Sequence, residues 1–384
     1  MVRELKLADR VVSAAAREAR RRKTPFYLLD ARELARQIRE WRAAAPGAVF
    51  YPYKCNRDER AVRAAAAAGL GAEVTTVDDL RRARRMRLSG ARIIVQGPAK
   101  PAALLEAGLR TGALFVVDGR EDVVALLARA HATGTTPRYL LRLAPRVVGP
   151  EQRAFGLPAR PLVALARELA RRGAPPAEGL AFHLGTGIAS AAPFLAALRE
   201  AAAVARALGA LGWPVATLGV GGGFAARLES RGKEPQPPGP SAAEIVPALR
   251  RAARRLFDAE RNVRLLFEPG RAIVSGAYHL VARVVRVRDG RAPVAYLDAS
   301  ALSHAPFVIL GRHPIAVRPR RPGPERRVTL AGPLGVGNDV FARAVRLPPL
   351  RPGDLVVIGS VGAYNQNAAN TWAGPAAEVR RGPT

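Results

Sequence analysis

The segment VFYPYK, at residues 49–54, decides the fold because it is an apolar β-type run that ends in a lysine. Seven further apolar runs follow it, separated by alanine- and arginine-rich segments whose apolar spacing fits amphipathic helices. Runs such as Ile93-Ile94-Val95 are apolar on both faces, which is typical of buried parallel strands. We therefore predict an α/β fold built on a (β/α)8 barrel. Its predicted strands are residues 49–54, 72–75, 93–96, 114–117, 139–143, 180–184, 218–220 and 265–268.

The chain beyond the eighth strand predicts a separate all-β domain. Residues 278–297 alternate between apolar and polar side chains around Asp289-Gly290, a pair that is typical of a hairpin turn. Further strands are predicted at 328–330 and 355–358, with no convincing helix between them. We therefore assign residues 276–384 to a C-terminal β-domain.

The N-terminal segment contains a strand that the barrel does not need. Residues 26–29 form an apolar run ahead of the eight, and Asp30 is placed to cap the helix that follows. We assign residues 1–30 to a segment that contributes a strand to the β-domain, and residues 31–275 to the barrel. Within the barrel, the Pro/Gly-rich stretch 232–240 predicts a mobile excursion after the seventh strand.

Length and composition suit a soluble protein with a large core. The chain has 384 residues, and 49% of them are hydrophobic. No apolar run reaches the roughly 18–20 residues that a membrane span needs, and residues 1–23 lack the apolar centre of a secretory signal. Cys55 is the only cysteine, which excludes an internal disulfide and any multi-cysteine metal site. We expect a cytoplasmic protein with no metal and no membrane partner.

The net charge of +30 raises nucleic acid and anionic membranes as partners. Most of the 61 basic residues are arginines, however, and they are dispersed over many predicted helices. Aromatic residues, at 5%, do not interleave with them as a base-stacking groove requires. The charge therefore favours solvated helix faces, and we do not predict a nucleic-acid partner.

Chemically reactive residues collect at the ends of the predicted strands. The reactive groups of such barrels lie at the carboxyl ends of the strands, so these side chains are expected to converge on one rim. That convergence is a stronger signal than any single motif. The residues concerned are Lys54, Glu73, Arg142, His183, the run Gly221-Gly222-Gly223, and Glu268.

Each of these residues also has a simpler interpretation. Desolvation in a barrel mouth lowers the pKa of Lys54 and favours Schiff-base chemistry; the alternative is a surface lysine. The glycine run offers backbone N–H groups to a phosphate, or forms a tight turn. Glu268 faces the nitrogen of a pyridine ring, or forms a buried ion pair with Arg271. His183 stacks on a flat ring, or is an ordinary core histidine.

Together the motifs resemble those of one family, the fold-type III PLP-dependent decarboxylases, where PLP is pyridoxal 5′-phosphate. This group contains the ornithine, arginine and diaminopimelate decarboxylases. The resemblance covers residues 26–364, and the motifs occur in the family's order. The matching segments are Tyr53-Lys54-Cys55-Asn56, His183-Leu184-Gly185-Thr186-Gly187, residues 221–224, Glu268-Pro269-Gly270-Arg271 and Gly362-Ala363-Tyr364.

The resemblance implies a role for each motif. Lys54 carries PLP, His183 stacks on its ring, and Glu268 pairs with the pyridine nitrogen; these three are the expected catalytic residues. It also implies an alanine racemase-like barrel with a β-domain, and a homodimer with active sites at the subunit interface. The other expected cofactor-binding residues are Glu73, Arg142, Thr186, Gly221, Gly222, Gly223, Arg271 and Tyr364.

The substrate half departs from the family pattern. The family's acid for the substrate α-carbon is a cysteine that the partner subunit supplies in a Gly-Pro-x-Cys segment, but Gly335 stands at that position here. Asn338 and Asp339 complete the candidate substrate residues in this segment. An Arg-Pro pair that helps to bind substrate in the family corresponds to Ala305-Pro306. Glu73 replaces a usual aspartate.

The resulting prediction is a PLP-dependent decarboxylase that acts at the α-carbon of an amino acid. Glu268 favours decarboxylation over racemisation, because a carboxylate keeps the ring nitrogen protonated and makes the ring a better electron sink. The alternatives are a PLP-dependent racemase or transaminase and a catalytically weak PLP-binding regulatory homologue. Lys54, His183 and a bound water remain candidates for the acid that protonates the α-carbon.

Overall fold

A computed structural model describes residues 7–226, 230–231, 239–257 and 263–382 of the chain. Most of the predicted excursion at 232–240 therefore lies outside the described residues, as do residues 1–6 of the N-terminal segment and 383–384 at the other end.

The strands of the described residues fall into a parallel barrel, a mixed β-sheet and a separate antiparallel pair formed by the short strands Ser230–Arg231 and Gly311–Arg312. In chain order they are β1 (Phe26–Leu29), β2 (Phe50–Pro52), β3 (Gly71–Val74), β4 (Ile93–Val95), β5 (Leu114–Val117), β6 (Arg138–Arg142), β7 (Gly179–Ala181), β8 (Thr217–Gly219), β9 (Ser230–Arg231), β10 (Arg264–Leu266), β11 (Tyr278–Arg288), β12 (Val294–Leu297), β13 (Gly311–Arg312), β14 (Ile315–Arg318), β15 (Arg326–Ala331), β16 (Val340–Leu347), β17 (Leu355–Ile358) and β18 (Glu378–Arg381).

Helices alternate with the barrel strands and continue at both ends of the chain. They are α1 (Asp9–Arg21), α2 (Ala31–Ala44), α3 (Glu59–Ala67), α4 (Val77–Arg85), α5 (Ala102–Thr111), α6 (Arg120–Ala132), α7 (Ala159–Arg171), α8 (Ala192–Gly209), α9 (Ala242–Leu256), α10 (Arg271–Val274) and α11 (Asn365–Ala368).

The barrel closes on itself between its first and last strands. Within the described residues, its eight strands pair in the order β10-β8-β7-β6-β5-β4-β3-β2. A parallel bridge from Val49 to Phe267 then joins the two ends, and the N–H of Phe50 donates to the carbonyl of Phe267 at 2.8 Å. The predicted (β/α)8 barrel is confirmed. Its closure makes the segment after β2, which carries Lys54, a neighbour of the segment after β10, which carries Glu268.

The barrel strands are buried on both faces, as their composition predicts. Ile93, Ile94 and Val95 of β4 are all at most 1% exposed. Outside the strands, the side chain of Asp30 accepts the N–H of Glu33 and caps α2, as expected from the sequence.

The second sheet gathers strands from both ends of the chain. Its main path is β14-β17-β11-β12-β15-β16, and β1 pairs antiparallel with β11 and parallel with β18. β11 and β12 form the antiparallel pair around the predicted turn at Asp289-Gly290. The predicted all-β domain is confirmed, and β1 lies in it rather than in the barrel.

None of the helices in the described ranges combines the length and the apolar character needed to cross a membrane.

Candidate active site

Lys54 lies at the carboxyl rim of the barrel, in a turn directly after β2. The N–H of Cys55 donates to the carbonyl of Pro52, and the N–H of Tyr53 donates to the carbonyl of Glu73 at the end of the neighbouring β3. This turn brings Lys54 Nζ to 2.8 Å from Glu73 Oε1. The Glu73 side chain is fully buried, whereas the lysine side chain is 38% exposed. The lysine side chain is therefore accessible, and its charge is paired with the buried carboxylate of Glu73.

The prediction of a lowered pKa for Lys54 is wrong. Burial does lower the pKa of Lys54, but the carboxylates of Glu73 and Glu268 and the hydrogen bond from Glu73 outweigh it, so that the pKa lies above its ordinary value. Desolvation is one of several influences, because the pairing of β2 with β3 brings Glu73 to this amine and the closure of the barrel brings Glu268 to it.

His183 follows β7 and is held in its neutral form. The N–H of Gly222 donates to His183 Nδ1 at 3.2 Å, so this nitrogen is the acceptor and the proton lies on Nε2. Burial, together with the charges of Lys54 and Arg142, lowers the pKa of His183 to about 3. The ring is therefore an uncharged flat surface at neutral pH.

The glycine run after β8 packs against the segments that carry His183 and Glu268. Gly221 and Gly223 have φ values of +65° and +88°, which other residues adopt at a cost. A Cβ at Gly222 would lie 2.4 Å from the carbonyl oxygen of Glu268 and 3.6 Å from His183 Cε1. The run therefore lets the strand ends that carry the imidazole and the carboxylate approach each other closely.

Glu268 is buried at the same rim and is held from across the barrel. Gln96, directly after β4, places its Nε2 at 2.6 Å from both Glu268 Oε1 and Oε2. Burial and the nearby charge of Glu73 raise the pKa of Glu268 to about 7, against the opposing effects of Lys54 and Gln96. The charge of Lys54 acts on both His183 and Glu268, so these three groups surround one space at the rim, the candidate cofactor cavity.

A cation and two hydroxyl-bearing side chains meet on one side of this cavity. Arg271 Nε donates to Thr186 Oγ1 at 3.1 Å, and the Arg271 guanidinium lies 5.4 Å from the centre of the Tyr364 ring. Tyr364 itself has φ +68°, and its N–H donates to the carbonyl of Cys55 at 2.7 Å. This contact ties the late Gly-Ala-Tyr segment directly to the turn that carries Lys54.

Arg142 and the candidate substrate segment take part in other interactions. Arg142 Nη1 forms an ion pair with Asp118 Oδ1 at 2.8 Å. Gly335 and Asn338 are exposed in the loop between β15 and β16, whereas Asp339 is buried.

The carboxylate of Asp339 accepts hydrogen bonds from neighbouring segments of its own chain. Its Oδ1 accepts Ser300 Oγ at 2.9 Å and the N–H of Ala301 at 2.7 Å, and its Oδ2 accepts the N–H of Leu334 at 3.2 Å. The Asp339 carboxylate therefore holds the loop between β15 and β16 to Ser300 and Ala301, which follow β12.

Comparison with known proteins gives the family. The model for the pyridoxal binding domain of pyridoxal-dependent decarboxylases matches residues 31–275. The chain belongs to this decarboxylase family. The diaminopimelate decarboxylase of Deinococcus radiodurans is 31% identical over 368 residues, which cover 92% of this chain and 88% of that protein. The chloroplastic ornithine decarboxylase of Nicotiana glauca is 25% identical over 389 residues, with 96% and 86% covered.

The fold is also that of a solved family member. The crystal structure of Helicobacter pylori diaminopimelate decarboxylase complexed with L-lysine superposes with a TM-score of 0.85 at 22% identity, over 95% of this chain and 93% of that one. The predictions of the family, of PLP as its cofactor and of amino-acid decarboxylation as the class of activity are confirmed at this level.

The residues present fit the cofactor of this family. Glu73 Oε2 is buried and has no hydrogen-bond partner among the described residues, so a donor from a ligand would satisfy it. A neutral imidazole suits one face of an aromatic ring, and Glu268 suits a ring nitrogen. Arg271 with Thr186, beside the glycine run, suits a phosphate.

Two residues of this decarboxylase site were missed by the sequence analysis. Gln96 is the last residue of a predicted strand, and its polar side chain after an apolar run was the available signal. Asn367 Nδ2 donates to the carbonyls of Tyr53 and Lys54 at 3.2 and 3.0 Å. Nothing in the local sequence pattern marks Asn367, because its partners lie more than 300 residues earlier in the chain.

Proposed function

We propose that the protein is a PLP-dependent amino-acid decarboxylase in which Lys54 both carries the cofactor and returns the proton to the substrate α-carbon. The observation that carries this proposal is the position of Lys54 Nζ, 2.8 Å from a buried carboxylate and open to the cleft that His183 and Glu268 line. The bound cofactor supplies an electron sink for the electron pair that remains when the carboxylate leaves as carbon dioxide.

Glu268 and His183 then have separate tasks. Glu268 holds a proton at the ring nitrogen, because a carboxylate beside that atom favours its charged form. The neutral imidazole of His183 packs on the ring face and excludes water from it. Its low pKa gives it no second proton to donate at neutral pH.

Lys54 is therefore the best of the three candidate acids. Its raised pKa means that Nζ carries a proton at neutral pH, and its four-carbon stem is flexible. Gly335 stands where the family pattern has a cysteine, and we propose that this chain has lost the thiol as its acid. The exposed loop at 335–338 would in that case close the site without donating a proton.

The substrate is proposed to be an amino acid with a second amino group. The support is the activity of the relatives, which are diaminopimelate and ornithine decarboxylases. Ala305 stands where the family pattern has an arginine, which favours substrates without a distal carboxylate. Ornithine and lysine are thus the first substrates to test.

We further propose a cytoplasmic homodimer with shared sites, built from the segment 1–30, the barrel 31–275 and the β-domain 276–384. The match of the pyridoxal binding domain to residues 31–275 and the pairing of β1 with β11 support the division. The exposed side chains of Ile309, Leu310 and Trp372 support an interface on the β-domain.

The test is to incubate the purified protein with PLP and a panel of amino acids, and to measure carbon dioxide, product amine and chirality together. Carbon dioxide and amine in equal amounts are expected, with none from Lys54→Ala and normal amounts from the exposed-lysine control Lys23→Ala. Inverted chirality without carbon dioxide would make the protein a racemase. Keto acid in place of amine would make it a transaminase, and complete inactivity with retained PLP would favour the regulatory homologue.

A further inference from the structure

The contact between Gln96 and Glu268 crosses the mouth of the barrel. Gln96 follows β4, and its N–H donates to the carbonyl of Val74 at 2.9 Å, which fixes its backbone on β3. Glu268 follows β10, and its N–H donates to the carbonyl of Gly221. In the barrel order, β3 and β2 lie between these two strands. The side-chain contact therefore joins the ends of two strands that are not neighbours in the barrel.

Its geometry is that of an amide held at the centre of a carboxylate. The 2.6 Å distances from Gln96 Nε2 to both carboxylate oxygens place the nitrogen between them. Gln96 is 7% and Glu268 is 4% exposed, so water does not compete with this contact.

The charges around Glu268 explain why a neutral donor is needed. Glu73 is a second buried carboxylate close enough to disfavour a charge on Glu268, whereas Lys54 and Arg142 act in the opposite direction. Lys54 is already committed to Glu73 by its hydrogen bond. A cation at position 96 would draw the carboxylate away from the ring nitrogen, but an amide stabilises the charge without neutralising it.

We propose that Gln96 is a positioning residue that fixes the carboxylate of Glu268, in its charged form, against the ring nitrogen of the cofactor. This inference rests on the proposed function for the identity of the ring. It adds a residue from β4 that contacts neither substrate nor cofactor and acts through Glu268.

The test is a double-mutant cycle on PLP affinity with Gln96→Met and Glu268→Gln in the full chain. Gln96→Met keeps the length of the side chain and removes its donors. We expect Gln96→Met to bind PLP about tenfold more weakly than wild type, because it loses a hydrogen bond to a charged group. In the Glu268→Gln background the same substitution should have little further effect.

A second readout separates positioning from a general loss of structure. Gln96→Met should lower kcat and leave the KM for the amino acid nearly unchanged, because the substrate does not touch Gln96. The matched control is Gln37→Met on α2, which removes another buried amide donor, to Glu33 at 3.0 Å, and should leave PLP affinity and kcat unchanged.

Gln96→Glu keeps the proposal testable if the methionine variant does not fold. The glutamate side chain has the same length as glutamine, and it can share a hydrogen bond with Glu268 only when one of the two acids is protonated. The PLP affinity of this variant should therefore improve as the pH falls.

Equal PLP affinity of wild type and Gln96→Met, or an equal loss in both backgrounds, would overturn the role of Gln96. A pH-independent affinity of Gln96→Glu would overturn it as well. If the cycle is as expected but no amino acid is decarboxylated, the proposed function fails and the role of Gln96 stands.

Discussion

At the scale of single residues, the site consists of charges that modify one another. Lys54 lies beside two buried carboxylates, Glu73 and Glu268, and both the pKa of Lys54 and the pKa of Glu268 depend on their charged neighbours. At Glu268, burial and the charge of Glu73 outweigh the opposing effects of Lys54, Gln96 and Arg142, so the pKa of this carboxyl is raised. Its protonation must therefore be linked to folding.

Replacing Glu268 by glutamine should make the stability of the chain less dependent on pH. The pKa of Glu268 is raised to about 7 in the folded chain, from an ordinary value of 4.5. Folding then takes up a proton between these values, and its contribution to stability is lost as the pH rises through 7. Measured by urea unfolding without added PLP, Glu268→Gln should gain up to about 3 kcal/mol relative to wild type between pH 4 and pH 8.

The control for this experiment is Glu59→Gln. Glu59 is an exposed carboxylate whose pKa is lowered by Arg63, so its removal should give no such gain. If Glu268→Gln and wild type lost stability in parallel over this pH range, the raised pKa of Glu268 would be refuted.

The sequence predicted which residues reach the cavity better than it predicted their charge states. Lys54, His183 and Glu268 could be named because each follows an apolar strand and barrel strands end at one rim. The raised lysine pKa could not, because it depends on the distance from Nζ to Glu73, and two side-chain conformations set that distance. The same applies to Asp339, whose burial follows from contacts with Ser300 and Ala301.

At the scale of elements, the short helix α11 clamps the turn that carries Lys54. The side chain of Asn367 donates to the carbonyls of Tyr53 and Lys54 and accepts the N–H of Arg57 at 3.0 Å. Asn56 Nδ2 donates in turn to the carbonyl of Gly362 at 2.8 Å. The β-domain thus fixes the backbone on which the reactive amine stands.

Asn367→Ala should therefore loosen the lysine turn. We expect a loss of about 1–3 kcal/mol in the free energy of unfolding, because three hydrogen bonds to the turn are removed, together with weaker PLP binding. Urea unfolding and PLP titration measure the two effects.

Asn370→Ala is the matched control, since Asn370 is exposed and its Nδ2 contacts the carbonyl of Leu302 instead of the lysine turn. Its PLP affinity should equal that of wild type. The clamp would be disproved if both asparagine variants reduced PLP affinity equally.

The β-domain was harder to predict than the barrel. All eight barrel strands lie within three residues of their predicted limits, because continuous apolar runs leave few alternatives. β14, β16 and β18 were missed. β16 and β18 expose much of their surface. Arginines interrupt the apolar pattern of β16, and β14 and β18 are short strands that end in arginine. Their place in the sheet follows from pairing with β17, β15 and β1, which local sequence does not encode.

At the scale of the whole molecule, the exposure of the loop at 335–338 supports the proposed dimer. The lysine lies at the barrel rim, whereas this loop projects from the β-domain. A Cβ at Gly335 would meet no described atom within 4 Å outside its chain neighbours. A loop in that position is available to a second subunit, and a two-fold interface would apply the same contact twice.

Mixing two inactive variants tests this arrangement. Lys54→Ala removes the amine, and Asp339→Ala removes the carboxylate that holds the loop. If the sites are shared, mixed dimers contain one intact site, and an equal mixture should recover about a quarter of the wild-type activity. A mixture that stays inactive although sedimentation shows exchanged dimers would place each site within one chain.

The central claim, that Lys54 carries the cofactor, is tested most directly by covalent mapping. The protein is incubated with PLP, reduced with borohydride, digested and analysed by mass spectrometry. We expect the phosphopyridoxyl mass on the peptide containing Lys54, and Lys54→Arg should abolish it. Label found instead on Lys100, which is buried and paired with Asp122, or on any other lysine would contradict the account.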